Sequence, residues 1–322
     1  MQTWLIVLLA IVVLVAIWIA ATAVFSAIVT RRHPPVGKFV EVDGVRLHYV
    51  ERGPKDAPAL LLLHGNGMML QDFRISEVLD GAAERYHVIS FDRPGFGHSS
   101  RPRHRIWAPG AQAELFAAAL RQLGIGRAVV LGHSWATLIG VEMALRFPDL
   151  VEGLVLAAGY YFPTMRKDIW LSGPAIPIVG DLMRYTVSPP LAWAILPKLL
   201  RKLFAPRPVP ERFLREFPLP MAVRPLHLRA GAEEIAYMIP AAASLQHRYG
   251  ELTCPIAVVW GEKDEVIDSD QSEHVHRELM RSIVRRVPDA GHMVHYVAPE
   301  RLIDAAALIF AWPQVGQPET VA

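Results

Sequence analysis

Ala128-Val129-Val130-Leu131-Gly132-His133-Ser134-Trp135-Ala136, running on into Thr137-Leu138-Ile139-Gly140-Val141-Glu142-Met143-Ala144-Leu145, decides how the chain is read. A short β-branched and aliphatic run ends at a glycine, and an apolar pattern of helical period begins directly after it. Between them stands Ser134, with the small residues Gly132 and Ala136 two positions away on either side. A strand–elbow–helix that must hold a serine hydroxyl at the tip of a sharp turn is written this way. The helix N-terminus then brings backbone N–H groups and the positive end of its dipole beside that hydroxyl. Alone, the same letters would also serve an ordinary connection whose serine caps the helix. The rest of the chain chooses between the two.

The 322 residues open on an apolar run, Trp4 to Val29, without a charged side chain. As a helix it would be roughly 39 Å long against a hydrocarbon core of ~30 Å. Ala21-Thr22-Ala23 resembles a signal-peptidase site, but Met1-Gln2-Thr3 supplies no basic leader and the run is long for a signal peptide. The expectation is an uncleaved transmembrane anchor over 1–30. Arg31, Arg32 and Lys38 follow the span, which places the rest of the chain on the cytoplasmic side of the membrane. The single Cys254 excludes an intrachain disulfide, and the net charge of +2 gives no footprint for nucleic acid.

Residues 31–37, with Pro34-Pro35, read as a stiff linker. Phe39 to Val42 and Val45 to Val50, separated by Asp43-Gly44, make a β-hairpin. Apolar strands are then expected at Ala59–Leu63, His87–Phe91, Ala128–Leu131, Leu154–Ala158, Ile256–Trp260 and Ile283–Val287, with helix-period stretches between them. That alternation specifies an α/β fold with a mostly parallel sheet and helices on both faces. It is interrupted over 160–249, a proline-rich stretch of short helical patches read as a helical cap over the C-terminal edge of the sheet. The core is thus 38–159 with 250–312, and 313–322 is a polar tail expected to fray.

A serine hydroxyl needs a base, and the base needs an orienting partner. His292, in Asp289-Ala290-Gly291-His292, follows the last strand, and Asp264, in Gly261-Glu262-Lys263-Asp264, follows the one before, so both reach one sheet edge. Thirteen histidines give rivals for the base, of which His295 is the nearest; Glu262, Glu265 and Asp268 are rivals for the acid. An oxyanion forming on attacked substrate needs fixed N–H donors. Trp135 N–H is one, and Asn66 N–H, in His64-Gly65-Asn66-Gly67 after an apolar strand, is the other, with Gly65 letting the backbone approach.

With these residues in place the chain resembles the α/β-hydrolase superfamily, in its cap-bearing branch of esterases, epoxide hydrolases, haloalkane dehalogenases and C–C bond hydrolases. The resemblance is carried by His64-Gly65-Asn66-Gly67, Asp92-Arg93-Pro94-Gly95-Phe96-Gly97-His98-Ser99, Gly132-His133-Ser134-Trp135-Ala136, Gly261-Glu262-Lys263-Asp264 and Gly291-His292. Two departures matter. The family usually has glycine where Ala136 stands; an extra methyl could crowd the elbow, though alanine is the mildest replacement and known patterns tolerate it. Its epoxide hydrolases and dehalogenases use an aspartate nucleophile, and position 134 is serine, which disfavours both activities. The Asp92–Ser99 segment reads as a structural turn beneath the site.

The resemblance implies a membrane-anchored serine hydrolase that cleaves a carboxylic ester of an apolar acyl group through an acyl-enzyme. The alternatives are an amide, lactone or C–C bond hydrolase with the same triad, or an inactive hydrolase fold kept as a binding module. No metal or cofactor fingerprint is present, and none is expected. The partners expected are a lipophilic small-molecule substrate and membrane lipid. Lipid would be met through the N-terminal helix and through a cap whose basic residues, Arg166 to Arg229, outnumber its acids.

Overall fold

The computed structural model describes residues 2–312; the tail expected over 313–322 lies outside them. The first element is α1 (Thr3–Arg32). It is long and apolar enough to cross a membrane. It continues two residues into the segment read as a linker, because nothing stops a helix before the Pro34-Pro35 pair; the connection proper is His33 to Gly37.

Eight strands form one sheet: β1 (Lys38–Val42), β2 (Val45–Arg52), β3 (Ala59–Leu63), β4 (His87–Phe91), β5 (Ala128–His133), β6 (Val151–Ala157), β7 (Ile256–Gly261) and β8 (Ser282–Val287). Their order is β1-β2-β4-β3-β5-β6-β7-β8. β2 pairs antiparallel with β1 and with β4, and every other pairing is parallel. Asp43 and Gly44 both adopt positive φ, as a two-residue hairpin turn requires. β6 starts three residues earlier than its apolar run, since Val151 still pairs with Ala128 across a register shift.

Side chains alternate across the sheet into two cores. Leu61, Leu63, Val130, Leu154 and Val258 face α4 (Pro109–Gln122) and α5 (Ala136–Arg146). Leu60, Leu62, Val129, Leu131 and Val259 face α3 (Val78–Ala83) and α13 (Pro299–Phe310), the latter preceded by the short α12 (Val294–Val297). The short α2 (Gln71–Ile75) precedes α3, and α11 (Ser269–Glu278) links β7 to β8. Both faces of β3 are fully buried, which is why it reads as five apolar residues in a row. Each such leucine contributes about 1.5–3 kcal/mol by leaving water.

Between β6 and β7 the chain makes only helices: a 3-10 segment (Lys167–Ala175), α6 (Val179–Tyr185), α7 (Ser188–Phe204), α8 (Glu211–Glu216), α9 (Leu219–Ala222) and α10 (Pro225–Leu245), before a short 3-10 turn at Tyr249–Glu251. Part of their basic charge is paired inside the protein. Arg166 pairs with Asp168, Arg184 with Asp181, Arg212 with Glu77 and Glu216, and Arg229 with Glu233. Arg224 is buried, and burial pushes its guanidinium down to about 10. Lys198, Arg201 and Lys202 of α7 remain exposed and without an acidic partner among the described residues.

Candidate active site

The parallel register sets the site. Leu63 pairs with Gly132 and Ala157 with Val259, so the loops after β3, β5 and β7 leave the sheet at one edge. Ser134 sits between β5 and α5 with φ of 55°, a conformation L residues seldom hold without support. Its N–H donates to the Ala157 carbonyl at 2.8 Å, and its carbonyl accepts from Thr137 N–H at 3.0 Å and Thr137 Oγ1 at 2.7 Å. A Cβ at Gly132 would lie 2.7 Å from the Ala136 carbonyl oxygen, so the turn closes only over glycine. The Ala136 methyl is accommodated: it is fully buried in the core beside Leu138 and Ile139.

Ser134 is part-exposed, and its Oγ lies 2.9 Å from His292 Nε2. His292 Nδ1 lies 2.8 Å from Asp264 Oδ2. Asp264 Oδ1 accepts from the N–H groups of Val266 at 2.7 Å and Ile267 at 3.0 Å, so both carboxylate oxygens are fixed. This orientation puts the imidazole proton on Nδ1, facing the carboxylate, and leaves the Nε2 lone pair for the serine proton. The rival acids do other things. Glu262 and Glu265 are exposed, and Asp268 caps α11 through Asp270 N–H at 3.1 Å.

Gly65 comes directly against the elbow: a Cβ there would sit 3.0 Å from His133 Nδ1 and 3.2 Å from Ser134 Cβ. Among the described residues neither Asn66 N–H nor Trp135 N–H has an acceptor. The Asn66 side chain is used elsewhere, donating to the Gly231 carbonyl of α10 at 3.2 Å. The Trp135 indole likewise donates to the Glu234 carbonyl at 3.0 Å.

The rival base, His295, is buried and bonded at 3.0 Å to Asp72 Oδ2, not to Ser134. Asp72 also accepts from the Tyr296 hydroxyl at 2.9 Å. His133 lies beneath the site and donates from Nε2 to the His292 carbonyl at 3.0 Å, and burial holds its imidazole well below the usual histidine range. Asp72, His133 and His295 bring ligand-type atoms within 4.8 Å of one another, a donor set suited to zinc. Their hydrogen bonds already occupy the carboxylate and one nitrogen of each ring, and together they brace the loop carrying His292. Asp72 lies on a helix with no motif around it, so no sequence signal pointed to it.

The Asp92–Ser99 turn supports the loop after β3. Asp92, fully buried, accepts from Leu70 N–H and His98 N–H, each at 2.9 Å, and pairs with His48 at 2.6 Å. Against the cost of burial, these partners hold its carboxyl below the usual range. Arg93 donates from its backbone to His64 Nε2 at 3.0 Å and from Nε to the His64 carbonyl at 2.7 Å, while its guanidinium meets Glu234 of α10.

The profile of the alpha/beta hydrolase fold family matches residues 58–299. Haloalkane dehalogenase 2 of Mycobacterium tuberculosis (strain ATCC 25618 / H37Rv) is 27% identical over 288 residues, covering 82% of this chain and 90% of that protein. The crystal structure of a membrane phospholipase A, described as a bacterial virulence factor, superposes with a TM-score of 0.66 at 25% identity, covering 95% of this chain and 96% of the other. An esterase from Thermogutta terrifontis superposes with a TM-score of 0.64 at 21% identity over 85% of this chain and 98% of its own.

Proposed function

The chain belongs to the alpha/beta-hydrolase family, and on that premise we propose that it is a membrane-anchored serine hydrolase acting on a carboxylic ester of an apolar acyl group. The observation that carries the proposal is the hydrogen-bonded line from Ser134 Oγ through His292 to Asp264. Ser134 attacks the acyl carbon while His292 Nε2 takes its proton, and Asp264 holds the imidazole and stabilises it once charged. The N–H groups of Asn66 and Trp135 receive the oxyanion. Collapse of the tetrahedral intermediate expels the alcohol, protonated by His292. Water, deprotonated by the same nitrogen, then releases the acid.

Serine chemistry separates the chain from its dehalogenase relative. A serine oxygen displacing halide would form an ether, which water cannot cleave as it cleaves an acyl ester. The anchor is α1, with Arg31 and Arg32 holding the catalytic domain on the cytoplasmic side. A lipophilic ester suits an enzyme fixed at a bilayer.

A fluorophosphonate probe tests the reading. It should label the full-length protein and leave Ser134→Ala unlabelled; a folded wild type that resists labelling would point to a binding module. Nitrophenyl esters of increasing chain length then rank the acyl preference.

A further inference from the structure

α1 does not stand clear of the globule. Ile19, Thr22, Ser26 and Val29, spaced three or four apart, form its single covered stripe, which Thr30 and the capping His33 widen at the end. At the lower end Val29 is buried among Met68, Phe96 and Met221, and Thr30 Oγ1 accepts from Arg224 at 2.9 Å. At the upper end the Trp18 indole donates to the Thr186 carbonyl at 3.1 Å, where α6 gives way to α7. Twelve residues separate Thr30 from Trp18, about 18 Å along the helix axis. The cap therefore climbs the apolar helix.

How far it climbs past the membrane boundary follows from length. A ~30 Å hydrocarbon core takes about 20 helical residues. In the shallowest placement, with Trp4 at the far boundary, the near one falls close to Ala23 and leaves Trp18 about 8 Å inside it. Tilting the helix until its whole apolar run is buried carries Trp18 deeper still. The surface around Thr186 matches that depth in composition. Ile176, Ile178, Val179, Leu182, Val187 and Trp193 are all exposed by half or more, Ile178 by 83%. The cation of α6 itself is withdrawn: the Arg184 side chain is 5% exposed, bonded to Asp181 and to the Pro174 carbonyl at 2.8 Å, while Arg103 reaches Asp181 from the core and keeps 64% of its side chain exposed. Further along α7, Lys198, Arg201 and Lys202 return to the polar side, about 8–14 Å from Trp193 along the axis. Apolar side chains at acyl depth with lysines and arginines one headgroup layer away are the pattern of a membrane-inserted edge.

We propose that the rim formed by the end of the 3-10 segment, α6 and the start of α7 is embedded among the acyl chains of the bilayer that α1 crosses. The proposal rests on α1 being a membrane span, and it deepens the reading of a lipophilic substrate: such an ester would pass from the leaflet to the cap without entering water. Contact is made by hydrocarbon, with the exposed cations of α7 adding attraction to anionic headgroups.

Site-directed fluorescence in phosphatidylcholine vesicles tests this on the full chain. With Cys254→Ser as background, bimane is attached at Ile178→Cys and Trp193→Cys, at Leu14→Cys in α1, and at Met280→Cys, which is 82% exposed before β8. Brominated acyl chains should quench positions 178 and 193 as they quench 14, and aqueous iodide should quench them several-fold less than 280. Iodide quenching equal to that at 280 would overturn the proposal. Shielding from both quenchers would also overturn it and would indicate a second copy of the chain on this face. Iodide access at 14 would overturn the anchor with it. Fluorophosphonate labelling stands apart, so loss of the hydrolase reading is read separately.

Discussion

Arg93 and Glu234 form an ion pair with neither side chain exposed, joining the loop after β4 to the middle of α10. The pair ties the cap to the core, and the Glu234 carbonyl also holds the Trp135 indole next to Ser134. Taking one charge away strands the other in a medium that solvates it poorly.

Glu234→Ala should therefore cost about 3–5 kcal/mol in stability. The double change Arg93→Met with Glu234→Leu should cost less than either single change, since no lone charge is left behind. Thermal unfolding in detergent ranks Glu234→Ala, Arg93→Met alone and the double variant. A single variant as stable as wild type would mean that the pair is not needed to hold the cap.

Gly65→Ala should damage turnover more than binding. The added methyl, 3.2 Å from Ser134 Cβ, forces the loop outward and carries the Asn66 N–H away from its post. Loss of one oxyanion donor lowers kcat by about 10²–10³ with a smaller change in KM. Hydrolysis of a nitrophenyl ester measures both constants, and a kcat within twofold of wild type would exclude Asn66 N–H from the reaction.

Acid should destabilise the fold well before its carboxylates titrate. Burial holds His64 and His133 well below the ordinary histidine range and pushes His227 down to about 3, so all three stay neutral in the native state. In the unfolded chain they protonate near pH 6.5. The unfolded state thus binds more protons below that pH. The stability these groups contribute is complete above about pH 6.5 and is lost as pH falls toward their native values, at up to ~4 kcal/mol per unit for three groups. His227→Gln should reduce that slope by about one third. Unfolding curves at pH 7, 6 and 5 read it, and a flat profile would mean that these imidazoles protonate without unfolding.

The sheet was legible because its strands are buried on both faces and spell continuous apolar runs. The elbow was legible because the turn leaves no room beside it, so Gly132 is obligatory. Ser134, Asp264 and His292 could be named from their places after β5, β7 and β8, and His292 lies within hydrogen-bonding distance of both others. Glu234 and Asp72 were invisible for the opposite reason. Each is an acid on a helix, which by letter alone belongs on a solvated face, and its partner lies 141 or 223 residues away. Pairing across the cap was equally hidden, for charge counts do not reveal it: Arg212 meets Glu77 across 135 residues.

Ser134 and His292 are separated by 158 residues, with the whole cap between them. A ribosome adding 5–20 residues each second delivers the imidazole roughly 8–30 s after the hydroxyl. Throughout that interval the nascent polypeptide, its leading helix already made, carries an unactivated alcohol. On the proposed mechanism, the catalytic site is complete only once the last strand and the loop after it have been made.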